Sequence, residues 1–431
     1  MTSHTIVLIG AGSTVFTPGL LADLAGSPVF DGATVRLVDI DEDAAVTMAK
    51  LGRRMAEARG SHLTVEPYVD RRDALAGATV VATTIAVGGA AGWRTDLEVP
   101  LRHGVRQTVG DTVGPGGVLR ALRQIPELVA IGRDVAELAP GAWLVNYANP
   151  LTANVRAISG WAHERVIGLC HGTMHTKAEL AKALGVPGHE LTAVFAGLNH
   201  LCWLLELRHG SVDLYPRLRA GEVPIEPVTA DLLELFGLYA APGDRHVAEF
   251  FSWYLGCPTE DGKLAWGLQP GLDATHHYIA EKADLWDRLR AQAAGQAPLD
   301  VAPAGQEAER LVAIAEALVS GREIVELAVN LPNRGLIPNL PGDAIVEVPA
   351  VVGAAGVHGV AVGELPAGVA AVLASRWQQQ ELTVQAAVRG SRELALQALA
   401  SDPLVPSPAV ARAILDDAIA AHDPLLRSYA A

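Results

Sequence analysis

The feature that most constrains this chain lies near its start. Thr5 to Ile9 is an apolar, β-branched run, Gly10-Ala11-Gly12-Ser13 interrupts it, and Thr17 to Leu24 reads as the start of a helix. A strand that turns into a helix on spaced glycines brings backbone amides and the positive end of a helix dipole close to a pyrophosphate. The third glycine of the usual fingerprint is missing, with Val15 in its place, so this turn alone is a weak signal. A second piece strengthens it: the strand-like run Thr34 to Val38 closes on Asp39, 27 residues past Gly12. A carboxylate there accepts bonds from the adenosine ribose and repels a 2′-phosphate, which favours NAD over NADP. Gly10, Gly12, Ser13 and Asp39 are therefore candidate cofactor residues. The plainer alternative is that Asp39 caps the helix beginning at Asp41-Glu42-Asp43.

Further strand-like runs occur at Thr79 to Ile85, Trp143 to Tyr147 and Val166 to Leu169, with helical patterns at Asp43 to Arg59 and Val118 to Leu138. This alternation predicts a parallel sheet with right-handed crossovers, an N-terminal Rossmann-like, doubly wound α/β domain over residues 1–195. Beyond it the pattern changes. Leu191 to Leu207 reads as one long apolar strand, 212–242 mixes helix with Pro-containing loops, and the chain from Arg245 reads as mostly helical, broken by a loop over Leu331 to Pro341. Residues 196–431 are thus expected to form a C-terminal α+β, mostly helical domain for substrate binding and oligomerisation. Gln296 to Gly305 reads as a surface loop.

Bulk properties exclude several classes. At 431 residues, half of them hydrophobic, the chain exceeds one ordinary core. Its net charge of −15 and dispersed basic residues argue against a nucleic-acid groove. The longest apolar stretch, Ala78 to Gly92, is broken by Gly and Thr and falls short of a membrane span. Strand pattern begins by Ile6, leaving no room for a signal peptide, so a cytoplasmic enzyme is expected. Cys170, Cys202 and Cys257 are too few and scattered for a disulfide framework. Cys202 and Cys257 read as core thiols.

Chemistry-bearing residues gather at predicted strand ends. Asn149 follows Trp143 to Tyr147, Cys170 ends Val166 to Leu169 and precedes His171, and His200 closes the run through Leu198-Asn199. A thiolate and an imidazole on neighbouring strand ends can share one divalent metal and leave positions open for substrate oxygens, although lone Cys and His residues are more often packing groups. His175 fits a surface helix equally well. The glycine-rich loop around Asp111, running through Gly114-Pro115-Gly116-Gly117, makes that carboxylate either a turn former or an active-site acid. Asp244, in Gly243-Asp244-Arg245-His246, either serves the site or caps a helix.

Taken in order from Ile6 to Pro349, the segments IVLIGAGSTVFTPGLLADL, VDID, QTVGDTVGPGGVLRALRQIP, NYANPLT, GLCHG, GLNH, GDRHVAEFF and NLPNRGLIPNLPGDAIVEVP resemble glycoside hydrolase family 4. These are the NAD- and divalent-metal-dependent glycosidases, an exception to two-carboxylate glycoside hydrolysis. The resemblance implies hydride removal from sugar C3 by NAD, deprotonation at C2, elimination of the aglycone, water addition and return of the hydride. It implies Cys170 and His200 as ligands to Mn2+ or another divalent metal, and Asn149 as a residue touching sugar and cofactor. It offers Asp244 as the C2 base with Tyr239 as the alternative, and His171 and Asp111 as candidate general acids. Relatives acting on phosphosugars typically carry Asp where this chain has His171. The resemblance therefore points to an unphosphorylated substrate, an α-linked galacturonide or glucuronide, with α-glucosidase or α-galactosidase activity as the alternative. Arg94, Arg245 and Arg334 are the cations available for a substrate carboxylate. Similar enzymes are homo-oligomers, so a dimer or tetramer is expected. In another class, an NAD-dependent 2-hydroxyacid dehydrogenase would share the Rossmann half but needs no Cys and His metal pair. A redox-sensing NAD-binding module would not need the loops bearing Asp111 and Asp244.

Overall fold

The computed structural model of the chain describes residues 4–256, 263–300 and 310–430. Cys257, expected to be a core thiol, and the second half of the loop expected at Gln296 to Gly305 lie outside the described residues.

Six strands, β1 (Thr5–Ile9), β2 (Thr34–Val38), β3 (Thr64–Tyr68), β4 (Val80–Thr83), β5 (Trp143–Asn146) and β6 (Val166–Gly168), form a parallel sheet in the order β3-β2-β1-β4-β5-β6. This is the doubly wound arrangement, and chain order reverses between β1 and β4, where such sheets open a ligand crevice at the strands' carboxyl ends. The near-continuous apolar character of these strands has a physical cause, since helices cover both faces: all of β1 and β4 is buried. Local signals set the helices. Asp41 caps the helix Glu42–Arg59 by accepting the Ala44 amide, and Gly60, left-handed at φ 66°, closes it.

The sheet continues past β6 through the second half of the chain. Antiparallel strands follow in space as β11 (Ile324–Pro332), β12 (Ile345–Gly353), β7 (Leu191–Leu198), β8 (Leu201–His209) and β10 (Tyr239–Ala241), with β9 (Val212–Asp213) on β8 and β13 (Gly356–Gly359) on β12. One 13-stranded sheet therefore carries both halves.

Three expectations are corrected here. The run Leu191 to Leu207 is two strands, because Asn199 and His200 make a two-residue hairpin turn in which Leu198 pairs with Leu201. No Gly or Pro marks that turn; His200 itself takes the left-handed conformation, φ 65°. The region past residue 320 is sheet before it is helix. IVELAVNLP and IVEVPAVVG lie in mid-sheet, the second largely buried, and neither shows the strict period-2 alternation that normally betrays a strand. Finally, Gly114-Pro115-Gly116-Gly117 is the first turn of the helix Gly114–Leu138, not loop. A Cβ at Gly116 would lie 2.7 Å from the Gly110 carbonyl oxygen, and one at Gly117 2.5 Å from the Thr112 carbonyl carbon. The glycines let the preceding loop lie directly against the helix. No described helix is long and apolar enough to cross a membrane.

Candidate active site

The glycine turn sits at the end of β1, where the Gly10 and Ala11 amides both donate to the Val38 carbonyl. Gly10 has φ 90°, and a Cβ there would approach the Ile85 amide nitrogen to 2.9 Å, so the turn is wedged between β2 and the segment after β4. Asp39 receives the Gly12 amide on Oδ2 at 2.7 Å and the Asp41 amide on Oδ1 at 3.0 Å. The capping alternative for Asp39 is thus corrected, because Asp41 holds that position. Asp39 shapes the glycine turn and keeps lone pairs for a hydroxylated ligand. Ser13 donates its amide to Gly10 and accepts the Phe16 amide on its hydroxyl. The buried Thr14 hydroxyl beside them has no partner among the described residues, an orphaned polar group in a cradle that suits a phosphate-bearing cofactor.

At the ends of β6 and the β7–β8 hairpin, Cys170 Sγ and His200 Nε2 lie 3.5 Å apart. A metal roughly 2.3 Å from sulfur and 2.1 Å from nitrogen at the tetrahedral angle separates its two ligands by about 3.6 Å, so the pair fits a shared cation. The tautomer is set from behind. The Thr112 hydroxyl has one proton and gives it to Asp111 Oδ1 at 2.6 Å; it therefore accepts the Nδ1–H of His200 at 2.7 Å, and the Nε2 lone pair faces Cys170. Burial and the neighbouring His246 depress the His200 pKa to about 3, which keeps the imidazole neutral. Burial, with Glu347 and Asp111 adding to it, pushes the Cys170 thiol up to about 12, so a cation is needed to make it a thiolate.

Two loops complete the cluster. Asn149, just past β5, donates to Asp111 Oδ2 at 2.9 Å, and its carbonyl accepts Arg120 Nε at 3.1 Å. Burial would raise the Asp111 pKa, but His200, Arg120, His246 and the Thr112 hydroxyl together hold it below the usual carboxylate range. His246, from the short helix Asp244–Val247, packs edge-on against His200 at 4.4 Å between ring centroids.

Two buried carboxylates that the sequence did not single out hold this arrangement. Glu249 accepts the amides of Thr108, Val109 and Gly110 on Oε1 at 2.8 to 2.9 Å, which fixes the loop leading into Asp111. Glu347 of β12 accepts Asn199 Nδ2 at 2.9 Å and Asn330 Nδ2 at 3.0 Å, anchoring the turn whose next residue is His200. That anchor helps keep His200 in a conformation rarely adopted by a residue with a side chain. Only the folded sheet could reveal either one, since all their partners but Asn330 lie 139 to 148 residues away in sequence.

Burial moves the Glu249 pKa from 4.5 to about 8, against the pull of its amide donors. Because the folded protein then holds this proton more tightly than the unfolded chain, the associated stability is complete below about pH 4.5 and drains away as the pH rises through about 8. Glu249→Gln should flatten that slope while keeping the Oε1 contacts. Thermal midpoints across the window check this, and parallel profiles for the two proteins would overturn it.

The anticipated residues divide into those the fold brings together and those it does not. Asp111, Asn149, Cys170 and His200 form one bonded cluster, and His171 directly follows Cys170 on the exposed lip of the helix Gly172–Leu184. Asp244 is buried, and its carboxylate accepts the Val228 and Thr229 amides and the Thr229 hydroxyl, capping the helix Pro227–Phe236 from outside. Both of its oxygens are engaged there. Tyr239 is half-buried on β10, where burial and the carboxylates of Glu226, Glu179 and Asp244 push its hydroxyl pKa up. Arg94 pairs with Glu98 at 3.4 Å on an exposed helix face, Arg245 donates to the Thr108 carbonyl, and Arg334 lies on the exposed β11–β12 connection at φ 43°.

Comparison with known proteins agrees with this layout. Residues 5–186 match the family described as family 4 glycosyl hydrolase, and residues 195–405 match the family 4 glycosyl hydrolase C-terminal domain. An α-galactosidase of Bacillus subtilis (strain 168) is 32% identical, with 98% of this chain and 99% of that protein covered. An α-galacturonidase of Thermoanaerobacterium saccharolyticum (strain DSM 8691 / JW/SL-YS485) is 32% identical over 93% and 91%. The crystal structure of a 6-phospho-α-glucosidase from gut microorganisms, in complex with NAD and glucose-6-phosphate, superimposes with a TM-score of 0.82 at 25% identity, covering 98% of each chain.

Proposed function

The chain belongs to glycosyl hydrolase family 4, and from that premise we propose that it hydrolyses an unphosphorylated α-linked uronide, a galacturonide or glucuronide, with the help of NAD and a divalent metal such as Mn2+. The observation that carries the chemistry is the Cys170 and His200 pair, 3.5 Å apart and oriented by the Asp111–Thr112 relay. When bound, NAD would supply a hydride acceptor for sugar C3 and the divalent cation a Lewis acid, and together these would acidify the C2 proton. Cys170 and His200 would hold the cation. Gly10, Gly12, Ser13 and Asp39 would hold the cofactor, and Asn149, bonded to Asp111, would sit between cofactor and sugar.

The chain's own part is positioning and proton transfer. Thr112 fixes the His200 tautomer, so the imidazole meets a cation without rearranging. Asp111, bonded to both Thr112 and Asn149, suits an orienting carboxylate better than a proton donor to the leaving oxygen. His171, beside Cys170, and His246, edge-on to His200, are the imidazoles available for proton transfer; burial lowers the pKa of each, which favours the proton-accepting form. Of the two bases the family suggests, Asp244 is spent on a helix cap, which leaves C2 deprotonation to Tyr239 or His246.

The uronide reading draws support from similarity to α-galacturonidases at 29 to 33% identity and from His171 after Cys170. Similarity to α-galactosidases at 31 to 32% keeps a neutral α-galactoside as the second reading. A screen of p-nitrophenyl α-galacturonide, α-glucuronide, α-galactoside and α-glucoside with NAD, Mn2+ and a thiol reductant separates them. Fastest cleavage of a uronide, with no accumulation of NADH and with solvent exchange of deuterium at C2, is the expected result. Preference for a neutral glycoside would reject the uronide, and full retention of the C2 label would reject the elimination route.

A further inference from the structure

Resting on the uronide reading, we propose that Arg120 is the cation that receives the substrate's carboxylate. Of the three arginines expected from the sequence, Arg94 pairs with Glu98, Arg245 gives a terminal nitrogen to the Thr108 carbonyl, and Arg334 is exposed on the β11–β12 connection. Arg120 projects from the helix Gly114–Leu138, the helix whose glycine-lined first turn supports the Asp111 loop. Its Nε donates to the Asn149 carbonyl at 3.1 Å, which pins the guanidinium beside the Asn149 and Asp111 side chains. Tyr278 of the helix Gly271–Ala293 also lies within its field.

The rest of this guanidinium makes no hydrogen bond among the described residues, although its charge acts on Asp111. It is half-buried, and among the described residues no carboxylate lies within 4.0 Å of it and its two terminal nitrogens have no hydrogen-bond partner. A partly desolvated cation that is anchored at Nε and open at its terminal nitrogens presents a fork suited to a planar carboxylate. Placed next to Asn149, it can bind the C6 carboxylate while the ring hydroxyls face Cys170 and His200. A neutral galactoside has only a C6 hydroxyl to offer, and gains little from the same fork.

The test compares p-nitrophenyl α-galacturonide with p-nitrophenyl α-galactoside, which share stereochemistry and leaving group and differ at C6. For wild type, Arg120→Gln and Arg120→Lys, kcat and KM are measured with saturating NAD and Mn2+, and NAD affinity is titrated separately. Arg120→Gln should lower the uronide-to-galactoside ratio of kcat/KM about a hundredfold, chiefly through KM, because a charge-assisted pair is lost for one substrate alone. Arg120→Lys should recover part of that ratio, since it restores the charge without the fork. A wild-type enzyme that prefers the galactoside defeats the uronide reading itself. A wild-type preference for the uronide with an unchanged ratio in Arg120→Gln defeats the role of Arg120 alone. A tenfold or larger loss of NAD affinity, with both substrates slowed equally, would instead assign Arg120 to the cofactor and overturn the proposal.

Discussion

Cys170→Ser should abolish tight Mn2+ binding and lower glycoside hydrolysis by about 10³ or more, because a hydroxyl does not replace a thiolate and His200 alone cannot retain the cation. The expected loss is chemical, not structural. The thiol bonds to His200 and to the Gly172 amide at 3.4 Å, the first amide of the helix Gly172–Leu184, which a serine hydroxyl can also accept. NAD affinity should survive, since the glycine turn and Asp39 follow β1 and β2, three and four strands across the sheet from β6, which Cys170 follows. Titration of Mn2+ by electron paramagnetic resonance and of NAD by fluorescence separates the two effects. Unaltered Mn2+ affinity would place the metal centre elsewhere.

The largest effect on stability is expected from Asp96→Ala. Asp96 is fully buried and receives both terminal nitrogens of Arg123, at 2.6 and 2.8 Å, with His422 Nε2 at 3.0 Å on the same carboxylate. Removing it strands a guanidinium whose side chain is 1% exposed, a change that costs about 3–5 kcal/mol. An exposed pair such as Arg94 and Glu98 is worth only ~0–1 kcal/mol, so Arg94→Ala is the natural control. The damage should reach the cofactor end as well. Arg123 Nε also holds the Val87 carbonyl, two residues from the Ile85 amide that abuts Gly10. Urea unfolding with and without NAD measures both consequences, and a destabilisation under about 1 kcal/mol would show that the buried pair is compensated in some other way.

Residues whose function depends on their place along a strand were legible in the sequence. Gly10, Gly12 and Asp39 announce themselves through the strand, turn and helix pattern, and Asn149 and Cys170 stand at strand ends. His200 was found for a related reason, although the hairpin it turns was not. Its left-handed backbone is held by Glu347 through Asn199 and by Thr112, contacts spanning 148 and 88 residues. β11 and β12 are not legible as strands, because their apolar residues carry no strict alternation to distinguish strand from helix.

The carboxylates divide most clearly between what sequence and structure decide. Asp39, Asp111, Asp244, Glu249 and Glu347 are five acidic residues near glycines, turns or strand ends, and only Asp39 could be given its place from the local pattern. Which of the others orients an imidazole, caps a distant helix, clamps a loop or anchors a turn depends on which amides and hydroxyls reach it. In this fold those donors come mostly from segments 15 to 148 residues away. The sequence by itself determined the cofactor turn and the strand ends that bear chemistry, because backbone geometry and side-chain period are local. Only the tertiary structure decided the charges, because a buried carboxylate or guanidinium takes its role from the partners that offset its desolvation.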